Sequence, residues 1–148
     1  GDKNVYEDVY PLFQILGQTI NYVGQAGLGQ HTKMTNQIVI AGTIAGVVEA
    51  IHYAHQTGLE TDTMMKCISK GAAGSWQLEH NGQAILDNNF NPGFYIKHFI
   101  KDMKIAQKEM SDRDIQLDIL NKVLEMYTNL NEDELGTQAL IHHYEKEN

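Results

Sequence analysis

The chain has 148 residues, a natural size for one domain with a sizeable core, and its 42% hydrophobic and 20% charged residues argue against disorder. Its 19 acidic side chains against 11 basic ones leave a net charge of −8, so no basic surface is available to displace counterions, which disfavours nucleic acid and anionic membrane as partners. A single cysteine, Cys67, excludes an intrachain disulfide and a multi-thiolate zinc site, and it fits a reducing, cytoplasmic setting.

No signal-peptide pattern opens the chain. The longest apolar stretch, residues 38–50, is interrupted by Gly42, Thr43, Gly46 and Glu49 and reads as too short to span a bilayer. The chain starts at Gly1 and enters helical pattern almost at once, so it is expected to be a piece of a longer protein. Val9, Phe13, Leu16 and Ile20 fall at helical spacing and predict a first helix over residues 5–20, with Pro11 tolerable only in an early turn. Gly24, Gly27 and Gly29 then break the pattern and predict a turn or a tight backbone approach.

Residues 31–57 are apolar nearly all round in the middle and predict a buried central helix ~40 Å long. Gly42, Ala45, Gly46 and Ala50 lie along one side as a small-residue face for a neighbouring helix, and Gly58 ends the helix as a C-terminal cap. A helix over residues 63–70 follows, opened by Glu60, Thr61 and Asp62, with Met64, Met65, Cys67 and Ile68 as its apolar face. Ser75 can cap a helix reaching Leu86, and residues 88–93 read as a loop. Helical stretches over 94–110, 117–130 and 132–144 close an all-α reading, one domain over 1–148 with six or seven helices around the central one.

The chemistry concentrates between Gly24 and Asn36. A glycine turn delivers a helix whose early turns carry Lys33 and Asn36 at i and i+3, on one face. A helix N-terminus favours a carboxylate or oxyanion nearby and, with partial burial, disfavours an added proton on Lys33. Such a lysine can exchange protons with an alcohol during redox chemistry, and Asn36 can both donate to and accept from a reactant. Taken alone, Lys33 reads as a solvated lysine and Asn36 as a surface amide. The turn is no dinucleotide fingerprint, because no strand precedes it and Thr32 stands where a third glycine would fall. His52, His55 and His80, or the pair His142 and His143, follow no metal-ligand spacing, and no metal site is expected.

The Gly24-to-Asn36 segment resembles the catalytic motif of the β-hydroxyacid dehydrogenases, a family that includes 3-hydroxyisobutyrate dehydrogenase, tartronate semialdehyde reductase and, more distantly, 6-phosphogluconate dehydrogenase. Residues 2–13, the run Gly74, Ser75, Trp76, Gln77, Leu78 with Asn81 and Gly82, and Pro92, Gly93, Phe94 with Lys101, Asp102, Met103, Ile105 and Ala106 resemble further family segments, in register over about residues 2–140. The resemblance implies the helical C-terminal domain of an NAD- or NADP-dependent 3-hydroxyacid dehydrogenase, like that of 6-phosphogluconate dehydrogenase, with an N-terminal Rossmann domain absent from this chain.

By the same resemblance Lys33 is the acid/base, and Asn36, Gly27 and Gly29 meet a small 3-hydroxy carboxylate substrate. Lys101 approaches the nicotinamide end of the cofactor, and Asp102 steadies that lysine or its helix. Gln37 departs from the second Asn that many members carry. Lys97, Lys104 and Lys108 read as a solvated basic face, and Trp76 and Phe94 as core or interdomain packing. The implied enzyme is a homo-oligomer, bound mainly to its cofactor through the absent domain, and this piece alone is expected to be inactive. The alternative is a non-catalytic helical oligomerisation module, which tolerates loss of Lys33.

Overall fold

The computed structural model describes residues 1–145, and among these described residues every regular element is helical and none is a strand. The last three residues of the expected 1–148 domain lie outside the described ones. The chain divides into two compact units, Gly1–Asn36 and Gln37–Asn148.

The first unit opens with α1 (Lys3–Leu16). Asp2 caps it, its Oδ1 accepting from the Asn4 and Val5 N–H groups at 2.8 and 3.3 Å. Gly17 in extended backbone stops it, so the helix starts earlier and ends sooner than apolar spacing over 5–20 predicts. Pro11 sits inside α1 rather than in an early turn. The helix tolerates it because none of its residues is buried, and water can reach the carbonyl that proline leaves without its bond.

The long helix α2 (Leu28–Thr57) begins in the first unit and continues through the second. In the second unit Gln37, Ala41, Ile44, Val47, Val48, Ile51 and Ala54 face the core, while Val39 (64% exposed) and Tyr53 (67%) face outward. The helix is therefore central but covered along one face only. Its 30 residues, with mean hydropathy 1.4 over their most apolar window, have the length and composition to cross a bilayer, which the reading of 38–50 alone underestimates. A long core helix has the same composition, and the buried face is that of a core helix. At its end Gly58 adopts φ +71°, Leu59 N–H donates to Ala54 O at 2.9 Å and Gly58 N–H to His55 O at 3.3 Å. That is a Schellman cap, as the glycine predicts.

Next comes α3 (Thr61–Ile68), with Met64 and Met65 buried. Cys67 is exposed rather than on the apolar face: it stands two residues from the buried Met65, about 200° round the helix. The Ser75 hydroxyl then accepts from Leu78 N–H at 3.1 Å and starts a helix that is π-wound over Gln77–Gly82 before one turn of α-helix, α4 (Gln83–Leu86). Gly82 is a true close approach: a Cβ there would lie 2.7 Å from Met65 Cε and 3.5 Å from Val47 Cγ1. On α2 a Cβ at Gly42 would lie 3.8 Å from Ile119 Cγ2, whereas at Gly46 it would meet nothing, so only part of the expected small-residue face receives a neighbour.

The helices α5 (Ile96–Ser111) and α6 (Asp118–Leu130) pack together, with Phe99 edge-on to Tyr127 at 5.4 Å. Asn131 at φ +57° ends α6. A continuous helix over 132–144 does not form. Residues 132–136 instead turn back on the start of α5, where Leu135 O and Asp133 O accept from the Ile96 and Lys97 N–H groups. Those donors have no side-chain cap of their own, so the turn satisfies a helix end that would otherwise stay open. Only Thr137–Ile141, wound as a 3-10 helix, and the single turn α7 (His142–Glu145) are helical there. Ile44, Val48, Ile51, Phe99, Met103, Leu120, Tyr127, Leu140 and Ile141 form the core, each under 2% exposed.

Candidate active site

In the first unit the turn before α2 is built on two glycines in the left-handed region, Gly24 at φ +111° and Gly27 at φ +94°. Leu28 N–H donates to Gln25 O at 3.2 Å and His31 N–H to Gly27 O at 3.1 Å, which closes the turn and starts the helix. Side chains other than glycine are strained at such φ values. A Cβ at Gly27 would meet nothing within 4 Å, and one at Gly29 only Val23 Cγ2 at 4.0 Å. Backbone dihedral, rather than crowding, demands glycine at 27, and at both positions the backbone stays open to approach. Gly27 and Gly29 line a cavity of about 460 Å3 with Tyr6, Phe13, Tyr22 and Val23.

Lys33 and Asn36 stand three residues apart on α2, both exposed, and neither lines that cavity. The helix begins at Leu28, about a turn before the expected start, so Lys33 lies past the first turn, where the dipole is strongest. The described residues of the first unit also do not supply the partial burial expected of Lys33.

The second unit holds Lys101 on α5, its side chain 64% exposed and its Nζ 3.3 Å from Asp102 Oδ1. Asp102 is 2% exposed, and its Oδ2 accepts from Gln37 Nε2 at 3.0 Å. The sequence reading places Asp102 beside Lys101 but misses Gln37, whose partner is 65 residues away. A signal was present: Asp102 falls at helical spacing among Phe99, Met103 and Ala106, on a face that should be apolar.

Two of the neighbouring lysines are ion-paired rather than merely solvated. Lys97 reaches Glu134 at 2.7 Å, and that hydrogen bond raises its pKa above the usual lysine value; Lys108 reaches Asp112 at 2.8 Å, with the same effect. Trp76 (61% exposed) and Phe94 (41%) are not core residues; Trp76 stacks on His80 at 4.3 Å. Among the described residues no group of three or more His, Cys, Asp or Glu side chains is placed to hold a metal ion. His52 stacks on Tyr144, and His142 Nδ1 is hydrogen-bonded to Glu132 at 2.7 Å.

A family profile described as the NAD-binding part of NADP-dependent 3-hydroxyisobutyrate dehydrogenase matches residues 27–144. An uncharacterized oxidoreductase of Bacillus subtilis is 45% identical over 143 residues, 95% of this chain and 50% of that protein. The 2-hydroxy-3-oxopropionate reductase of Escherichia coli is 40% identical over 106 residues, 72% of this chain and 36% of that protein. Among solved structures, the 3-hydroxyisobutyrate dehydrogenase of Mycobacterium tuberculosis with L-serine superposes with a TM-score of 0.89 at 22% identity, over 97% of this chain and 53% of that one. The chain thus spans about half the length of these proteins or less.

Proposed function

The chain belongs to the NADP-dependent 3-hydroxyisobutyrate dehydrogenase family, and on that premise we propose that it is the helical half of an enzyme moving hydride between NAD(P) and a small 3-hydroxy carboxylate. The observation that carries this reading is the family match itself, which begins at Gly27 of the glycine turn and runs through Lys33, Asn36, Lys101 and Asp102. The ligands in the relatives' names agree in chemistry: 3-hydroxyisobutyrate, 2-hydroxy-3-oxopropionate and L-serine each carry an oxygen on the carbon β to a carboxylate.

In this reading Lys33 Nζ would take the proton of the substrate hydroxyl in the oxidation and return it in the reverse reduction. Asn36 hydrogen-bonds the substrate, and the open backbone at Gly27 and Gly29 admits its carboxylate. When bound, the cofactor supplies the hydride acceptor. This chain fits only one end of it: the exposed ammonium of Lys101 is available, but no described strand offers the sheet on which a dinucleotide usually lies. The rest of the relatives' length would provide that Rossmann domain, and this piece alone would not turn over. Assembly of the enzyme as a homo-oligomer is part of the proposal, with Val39, Tyr53 and Ile119 as exposed apolar side chains suited to a subunit contact. So is a cytoplasmic location, resting on the single free thiol Cys67.

The test is to follow NAD(P)H absorbance in the longer protein with 3-hydroxyisobutyrate and related hydroxyacids. Lys33→Ala should lower kcat by about 10²–10⁴-fold, the usual worth of a general acid/base, with cofactor binding intact. Turnover indifferent to Lys33 would refute the mechanism.

A further inference from the structure

Asp102 is a buried carboxylate whose two oxygens keep different company. Oδ2 accepts from Gln37 Nε2 at 3.0 Å inside the core, and Oδ1 lies 3.3 Å from the exposed Lys101 Nζ. Burying a carboxylate without partners is costly, so both contacts favour its presence there. The ion pair is geometrically unusual, because neighbours at i and i+1 on a helix do not face one another. The bond from Gln37 anchors Oδ2 in the core, and the same carboxylate presents Oδ1 to Lys101. Gln37 is itself 5% exposed and sits on α2, so the anchor comes from a rigid, buried element.

We propose that Gln37 is a positioning residue, holding Lys101 Nζ through Asp102 at the place where it meets the cofactor, an inference that rests on the cofactor role proposed for Lys101. The side-chain length matters. An Asn at position 37 would fall short of Oδ2 by one carbon–carbon bond, ~1.5 Å. The departure at Gln37 is therefore what makes this tether possible.

The test uses the longer protein with Gln37→Met, Lys101→Ala and both together, with NADPH and NADH as probes. Met keeps the length and apolar body of Gln and removes the donor. Gln37→Met should raise the cofactor KM about fivefold, the worth of roughly one hydrogen bond, with kcat moved less. When Lys101 is already Ala, the same change should add nothing. An equal rise in both backgrounds overturns the proposal, since Gln37 would then act without Lys101.

Crystal structures of the wild type and Gln37→Met give a readout that needs no turnover. Lys101 Nζ should leave Asp102 Oδ1; an unchanged ion pair overturns the tether alone. A broken ion pair with unchanged KM overturns the positioning role and, with it, the cofactor contact assigned to Lys101. If Gln37→Met does not fold, Gln37→Asn should give the same KM rise from a smaller change in the core.

Discussion

Replacing Tyr127 by Phe removes one oxygen from the centre of the core. The ring is 0% exposed, packs edge-on against Phe99, and its hydroxyl donates to Thr137 O at 2.6 Å. Phe keeps the ring and its packing, so the change is confined to the hydrogen bond and the carbonyl left dry. A net hydrogen bond of about 1 kcal/mol plus part of the desolvation of that carbonyl makes the expected loss about 2 kcal/mol. For a chain of this size that lowers Tm by about 6–8 °C.

The pH dependence supplies a second, independent check. Burial pushes the Tyr127 phenol well above the usual tyrosine range. A folded pKa above the unfolded value of about 10 means that the unfolded chain gives up this proton first. The stability tied to the protonated phenol is thus fully present below about pH 10 and is lost as pH rises toward the folded pKa. The wild type should lose this increment above pH 10 while Tyr127→Phe does not, so the gap should narrow by up to about 1.4 kcal/mol per pH unit. Urea denaturation of both proteins, followed by far-ultraviolet circular dichroism at several pH values, measures it. A negligible gap at neutral pH, or one that stays constant through about pH 11, would refute the reasoning.

Two further outcomes are expected. Gly58→Ala, at φ +71°, should destabilise the chain by about 1 kcal/mol because only the dihedral is penalised, while Gly58→Asn should cost less; thermal midpoints of the two compare them directly. The Glu60 carboxyl sits below its usual range through hydrogen bonds from the Thr63 side chain, then the Thr63 and Asp62 N–H groups. Its contribution is present above the unfolded glutamate pKa and lost as pH falls through the lower folded one, so Glu60→Ala should melt earlier at neutral pH and level with the wild type near pH 2.

Local chemistry alone determines much of this protein. Spacing along α2, α5 and α6, the Gly58 cap and the Ser75 cap each depend on residues within a few positions of one another, and these elements appear in the structure where the pattern places them. The order of Gly27, Gly29, Lys33, Asn36 and Lys101 is likewise a property of the chain, and it is enough to point to the family. Tertiary structure decides whatever depends on a distant partner. Residues 132–136 carry helical pattern, yet they turn to meet the uncapped start of α5, and no local rule contains that demand. Val39 and Tyr53 have the same apolar character as Ile44 and Ile51, and only packing separates the outward pair from the buried pair. Gln37 looks like a polar residue in a helix until Asp102, 65 positions later, reaches it across the core. A side chain's neighbours in sequence set its backbone, whereas its neighbours in space set its burial and its hydrogen-bond partners.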